Sequence, residues 1–355
     1  MTARLLMLCA LLSLTACTPS DDGLALQADY LQRLGNVLDS PSAEAFDLTH
    51  AGIYRMPPRR ERLLEVPELR IGLLDLLIDV RRCADLQQLI SQRNSLLGKQ
   101  LMASSRLAYE GDLLRALDSC IARLDGSDDA DLRTRLSDLA TQKRAQLPAV
   151  FWNAFNGSNE VERYLRFSAQ ALPATPGEDG AALDALEQLA GLAQRLPEQL
   201  PPPAEQLEPL FQALHASAQG GELITSLASL RHTLDHGTAL LRQRLANRPL
   251  CPQGLPTERG RILQNIFVKY YAGHLQPYLS QVHQRGERWQ RAVQHLAAQD
   301  APAATHDYLL RLAGTQDSLW QAFVTATGEH VSAWQDSLRS CGLAPGQAGW
   351  PAPQG

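Results

Sequence analysis

The chain of 355 residues has only one sustained apolar run, about ten residues over 5–14, where a spanning helix needs roughly twenty. A polytopic membrane protein is thereby excluded. Aromatic residues make up only 6%, Val and Ile are sparse, and no stretch alternates clearly between apolar and polar residues. Strands have little to be built from. Neither sign of charge dominates: 33 Lys+Arg face 38 Asp+Glu, a net of −5. With no long basic run, a dedicated nucleic-acid binder is not expected. Collagen-like and fully disordered chains are excluded by composition. Catalytic signatures are missing too. There is no G-x-S-x-G, and Ser95 to Lys99 is one residue too long for S-x-x-K. Gly98-Lys99 lacks the earlier glycine and the following Ser/Thr of a phosphate loop. No cysteine pair has C-x-x-C spacing, so no zinc site is expected. Nothing points to a cofactor, and the chain leans away from being an enzyme.

What is present begins at the N-terminus. Arg4 and the free amine precede the run 5–14, which ends Leu14-Thr15-Ala16-Cys17. A short positive region and a ten-residue apolar segment suit a signal peptide. The four closing residues resemble the lipobox of bacterial lipoproteins: an aliphatic residue, two small ones, and the cysteine to be lipidated. That resemblance implies cleavage after residue 16, acylation of Cys17 and a tether over 17–23. Acyl chains at roughly 0.8 kcal/mol per buried methylene make such an anchor durable. Thr18 stands where an Asp would mark inner-membrane retention. The expected address is therefore the periplasmic face of the outer membrane. Losing Arg4 with the leader makes the chain more acidic, so acyl chains rather than charge would hold it to anionic lipid.

Beyond Cys9 and Cys17, four cysteines remain, an even number in an exported chain. Cys83, Leu86, Ile90 and Leu97 share one helical stripe, and Leu113, Leu117, Cys120 and Leu124 another. The midpoint of 83 and 120 falls in a plausible turn over 98–105. An antiparallel hairpin folded there sets the two sulfurs side by side. The midpoint of 251 and 341 lies near a break at 300–302. The expected bonds are Cys83–Cys120 and Cys251–Cys341.

The pattern is helical nearly throughout: an all-α, multi-helix bundle with long antiparallel helices. Helices are expected near 25–38, 68–80, 83–97, 105–124, 130–145, 148–155 and 158–170. Residues 172–204, with Pro201-Pro202-Pro203, look like a Pro/Ala-rich linker carrying one helix between two helical halves, 24–171 and 205–341. In the second half Leu223, Leu227, Leu230, Leu234, Gly237, Leu241 and Leu245 form one seam. Leu275, Leu279, Val282, Gly286, Trp289, Val293 and Leu296 form another, and Val331, Trp334, Leu338 and Cys341 continue the theme. Pro277 is expected to kink its helix. The tail 342–355, rich in Gly and Pro, is expected to be disordered.

Three groups of residues carry candidate chemistry. Arg55, Arg59, Arg60 and Arg62 surround Pro57-Pro58. Proline fixes φ and stiffens an extended chain, and guanidinium forks suit phosphate or carboxylate. An anionic envelope component or an acidic partner fits, as do ion pairs to the protein's own acidic helices. Arg93, Asn94, Ser95 and Lys99, with Asp75 and Glu110, put dense polarity at the end of an apolar helix, either lining a pocket or tying down a turn. His232 and His236 lie at i, i+4 with Asp235 between, but face away from the seam toward solvent. Phe151, Trp152, Phe155, Tyr164 and Phe167 read as core. Asn156-Gly-Ser is a sequon by pattern, of no consequence in a bacterial chain.

The stretch 50–125 resembles a known family. Its motifs are Pro57-Pro58-Arg59-Arg60, Arg70-Ile-Gly-Leu-Leu-Asp75, Cys83-Ala-Asp-Leu-Gln87, Gln92-Arg-Asn-Ser-Leu-Leu-Gly-Lys99, Tyr109-Glu110 and Cys120. They are similar to those of proteobacterial lipoproteins grouped as domain of unknown function three thousand and eighty. The resemblance implies an envelope lipoprotein and supplies no activity or catalytic residue. The expected function is a lipid-anchored, non-enzymatic scaffold or partner-binding module acting through the arginine stretch. The alternative is a periplasmic hydrolase or ligand-binding protein with its site around 93–99.

Overall fold

A computed structural model describes residues 22–40, 46–67, 80–95, 102–125, 129–175, 177 and 180–350. The lipobox with Cys17, all but the last residue of the helix expected over 68–80, and Asp75 and Lys99 lie outside the described residues.

Among the described residues the fold is all-helical. Helix α1 (Gly23–Val37) starts where the Asp22 carboxylate accepts from the Leu24 N–H, satisfying one of the unpaired donors of a helix start. Two 3-10 turns, Leu48–Tyr54 and Arg59–Glu61, flank the double proline. Then come α2 (Ala84–Asn94), α3 (Ala103–Arg123), α4 (Ala130–Gly157) and α5 (Asn159–Leu165). They are followed by α6 (Gly180–Arg195), α7 (Ala204–Ala216) and α8 (Gln219–Asn247). A continuous rod follows: α9 (Glu258–Ile266), a π-helical stretch (Phe267–Leu275) and α10 (Gln276–Ala297). Helices α11 (Ala303–Ala313) and α12 (Leu319–Arg339) complete the chain.

The seam 275–296 is buried throughout, and the seam on α8 is buried from Leu223 to Leu241, with Leu245 only half-buried. Helix α12 packs along α8, and α1 packs on α8 from another side. Close approach along these seams rests on two glycines. A Cβ at Gly237 would stand 2.7 Å from His330 Cε1, and one at Gly286 would stand 2.4 Å from Trp320 Cζ3. Both distances lie inside van der Waals contact, so these helices could not lie so near with any larger residue.

The two sulfur pairs are closed. Cys83 joins Cys120 with Cα atoms 5.5 Å apart, and Cys251 joins Cys341 at 5.1 Å.

Several elements depart from the sequence expectation. Helices expected at 130–145 and 148–155 form one rod through Pro148. Burial of Leu147, Val150, Phe151 and Trp152 on either side offsets the roughly 3 kcal/mol that an interior proline costs. Pro277 sits in the first turn of α10, directly after the π-helical stretch, and the chain stays helical through it. Residues 172–204 do carry one helix, α6, but Leu186, Leu189 and Ala190 are fully buried and α6 packs on α7 and α10. The buried residues form one continuous cluster. Helix α1 belongs spatially with α8, far along the chain. The tail is ordered through 350: Leu343 is buried, the Gln264 amide donates to the carbonyls of Leu343 and Gly349, and Trp350 packs edge-on to Phe267. Val331 is 38% exposed. The inner stripe of α12 runs instead through His330, Ala333, Trp334, Ser337 and Leu338.

Candidate functional site

The arginine stretch forms one wall of a cleft. After the 3-10 turn Arg59–Glu61, residues 63–67 run without helix along the C-terminal half of α4. Two asparagines hold this segment there. Asn153 brackets Leu64: its Oδ1 accepts from the Leu64 N–H and its Nδ2 donates to the Leu64 carbonyl, both at 2.8 Å. Asn156 Nδ2 donates to the Arg62 carbonyl at 2.8 Å. Three residues of helix advance ~4.5 Å and two of an extended chain ~6.6 Å, a mismatch that side-chain amides can lean to cover. Backbone groups that a sheet would pair are thus paired by side chains.

Arg62 fastens the same junction. Its side chain is 3% exposed; Nη1 donates to the Asn156 carbonyl at 2.7 Å, and Nη2 meets Glu162 Oε2 at 2.8 Å. The Arg62 Nε has no acceptor. From sequence, Arg62 belongs to one candidate anion-binding group with Arg55, Arg59 and Arg60. It is instead a buried tie between the segment, α4 and α5, with only part of its fork facing the cleft. Arg60 departs in the other direction: it is 84% exposed, lies 3.5 Å from Glu61, and does not line the cleft.

The cleft itself has a volume of about 440 Å³. It is lined by Arg55, Arg59, Arg62 and Arg166, by Met56, Pro57, Pro58 and Phe167, and by one acid, Glu162. Four guanidiniums therefore face one carboxylate. Glu162 is shared between Arg62 and Arg166, the latter at 3.7 Å. Among the described residues Arg55 and Arg59 reach no carboxylate within ion-pair distance. The alternative of ion pairs to the protein's own acidic helices thus holds for Arg62, whereas Arg60 meets only its neighbour Glu61 and, among the described residues, Arg55 and Arg59 meet no carboxylate. Phe167, expected in the core, is half-buried and forms part of the cleft wall.

Of the polar group near 93–99, Arg93, Ser95 and Glu110 do not line this cleft, whereas Asp75, Lys99 and the Asn94 side chain lie outside what the structure describes. Ser95 Oγ donates to the Gln92 carbonyl and closes its own helix end. Glu110 is buried and held by Lys143 at 2.9 Å. Arg93 lies near enough to Tyr109 to act on its hydroxyl, which burial pushes up to about 12.

The His232 and His236 ring centroids lie 4.0 Å apart with the planes tilted by 37°, His236 Nδ1 is bonded to the His232 carbonyl, and Phe46 is edge-on to His232. Asp235 leans toward Arg231 at 3.6 Å. Among the described residues no three His, Cys, Asp or Glu side chains gather as metal ligands.

A second polar group went unread from sequence. His330 is buried between α1, α8 and α12. Tyr30 Oη lies 2.5 Å from its Nε2, Trp334 Nε1 donates to both Tyr30 Oη and His330 Nε2, and Thr238 Oγ1 lies 3.0 Å from Nδ1. Burial lowers the imidazole pKa to about 3 and raises that of Tyr30 well above its ordinary value. The ring is therefore neutral, with Nε2 accepting and Nδ1 protonated. This network locks helices together and opens onto no cleft described above.

No helix among the described residues is long and apolar enough to cross a membrane. A family model described as Protein of unknown function (DUF3080) matches residues 27–345. The likeness therefore extends from the motifs of 50–125 to nearly all of the helical body, the segment 172–204 included. No curated protein and no solved structure matches the chain.

Proposed function

The chain belongs to this family of uncharacterised proteins, and on that premise, joined to the arginine cleft, we propose that it is a lipid-anchored, non-enzymatic binding module of the bacterial envelope. Acyl chains on Cys17 hold it to the outer membrane from the periplasmic side. At ~3.3 Å per residue, the segment from residue 17 to the start of α1 keeps the helical body within about 20 Å of the headgroups. The cleft takes an anionic group of a partner or envelope component.

One observation carries this reading. In a chain with excess acid, Arg55 and Arg59 meet no carboxylate among the described residues, beside two further arginines that share one. Unpaired guanidiniums in a concave site focus a positive field that an anion relieves. The leader, the lipobox and the oxidised cysteine pairs support the envelope address.

The test is crosslinking and co-purification from intact envelopes. It compares the wild type, an Arg55→Ser/Arg59→Ser double variant, and a Cys17→Ser control. The double variant should lose the captured component while keeping its thermal midpoint, since neither side chain forms an ion pair or side-chain hydrogen bond among the described residues. Unchanged capture by the double variant would refute the cleft. Retention of the Cys17→Ser protein on membranes would refute the anchor.

A further inference from the structure

A second cleft, of about 280 Å³, shares Arg59 with the first. Aliphatic side chains form half of its lining: Leu63, Leu64 and Val66 from the segment along α4, and Val150 and Ala154 from α4 itself. The polar side chains lining it are Arg59, Arg106 and Asn153. The Asn153 amide is spent on both backbone groups of Leu64. Arg106 is exposed and, among the described residues, has no carboxylate partner. Leu63 is half-buried and does not belong to the hydrophobic core cluster. A strip of aliphatic surface is thus left beside a pair of uncompensated cations. Water serves aliphatic surface poorly, and an inorganic anion would leave it uncovered.

We propose that the two clefts meeting at Arg59 form one site for an anionic amphiphile. Its phosphate or carboxylate lies among Arg55, Arg59 and Arg166, and its aliphatic chain lies along Leu63, Leu64 and Val66. This rests on the arginine cleft being a ligand site and adds the class of ligand. Arg59 is the pivot, lining both volumes, and Arg106 closes the far rim. The stiff Pro57-Pro58 pair holds Arg55 and Arg59 apart before the ligand arrives, so little ordering is lost on binding.

The experiment titrates monomeric methyl, butyl and hexyl phosphate, and hexanol, into the acylated full-length protein held in nanodiscs of zwitterionic lipid, with empty nanodiscs as blank. A fully buried methylene adds about fourfold in affinity, so hexyl phosphate should bind more than tenfold tighter than methyl phosphate. Hexanol should not bind above the blank. Arg59→Ser should weaken every phosphate, whereas a Leu63→Ser/Val66→Ser variant should weaken hexyl but not methyl phosphate. Equal affinities for methyl and hexyl phosphate would overturn the two-cleft site and leave the anion site intact. No phosphate binding above the blank would overturn both. Recruitment of the protein to vesicles of anionic lipid, without binding of monomeric alkyl phosphate, would also overturn it.

Discussion

Lowering the pH from 7 to 5 should cost the folded protein about 2 kcal/mol through one side chain. His330 titrates near 6.5 in an unfolded chain, whereas in the fold burial lowers its pKa to about 3. Between these values the unfolded state binds a proton that the native state refuses. Stability is therefore complete above pH 6.5, falls by about 1.4 kcal/mol per unit below it, and stops falling near pH 3. The causes of the shift are burial, which lowers the pKa, and a smaller opposing backbone hydrogen bond at Leu234. The titratable neighbours are Tyr30 and Tyr271, whose rings lie 5.7 and 5.3 Å away, and burial pushes both hydroxyls up, that of Tyr271 to about 12. The assay is urea unfolding at pH 7, 6 and 5 with disulfides intact, for the wild type and His330→Gln. The variant should be weaker at pH 7, because Tyr30, Trp334 and Thr238 lose part of their bonding. Its stability should nevertheless decline less on acidification, and the gap between the two proteins should narrow by about 2 kcal/mol at pH 5. Parallel curves would show that His330 is not buried neutral as described.

Other perturbations follow from the packing. Gly237→Ala should lose about 1–3 kcal/mol, because its new methyl meets His330 Cε1; a thermal midpoint equal to wild type would contradict the close approach of α8 and α12. Replacing Cys251 and Cys341 with Ser should cost more than replacing Cys83 and Cys120. The loops closed span 90 and 37 residues, worth about 4.6 and 3.8 kcal/mol in the chain-entropy view; denaturant midpoints in the reverse order would argue against it. Arg62→Met should destabilise by roughly 1–3 kcal/mol, since it strands the Asn156 carbonyl, whereas Arg60→Ser should change nothing measurable. Equal effects of the two would refute the separation of buried tie from exposed cation.

Much of the fold was legible because helical seams are periodic. Residues 275–296 repeat at three and four, and each seam residue is buried. The two cysteine pairs expected from midpoint symmetry are the two that are joined. What escaped notice depends on neighbours distant in sequence. Pro148 reads as a break because local propensity cannot register the apolar surface that α4 buries around it. The stripe on α12 was phased from Val331 because valine is apolar, while the truly buried residue beside it is His330, tolerated only because Tyr30, three hundred residues earlier, supplies a hydroxyl. Gly237 did mark a close approach, and no sequence rule says that its partner is an imidazole. The tail 342–350 looks unstructured by composition but is tied down by Gln264 and packed on Phe267. At the site, the arginine cluster was visible, but the division of labour within it was not. Asn153 and Asn156, which position the wall of the cleft, gave no signal except their helical spacing on one face of α4. Glu162, which pairs with Arg62 rather than with Arg55 or Arg59, is a hundred residues away from Arg62.

Arginine-selective dicarbonyl labelling read by mass spectrometry tests the central claim most directly, on intact cells against the purified protein. If the cleft holds an anionic ligand in the envelope, Arg55 and Arg59 are protected in cells and react after purification. Arg60, exposed and outside the cleft, reacts equally in both and serves as the internal standard. Equal labelling of Arg55, Arg59 and Arg60 in cells and in the purified protein would contradict the account.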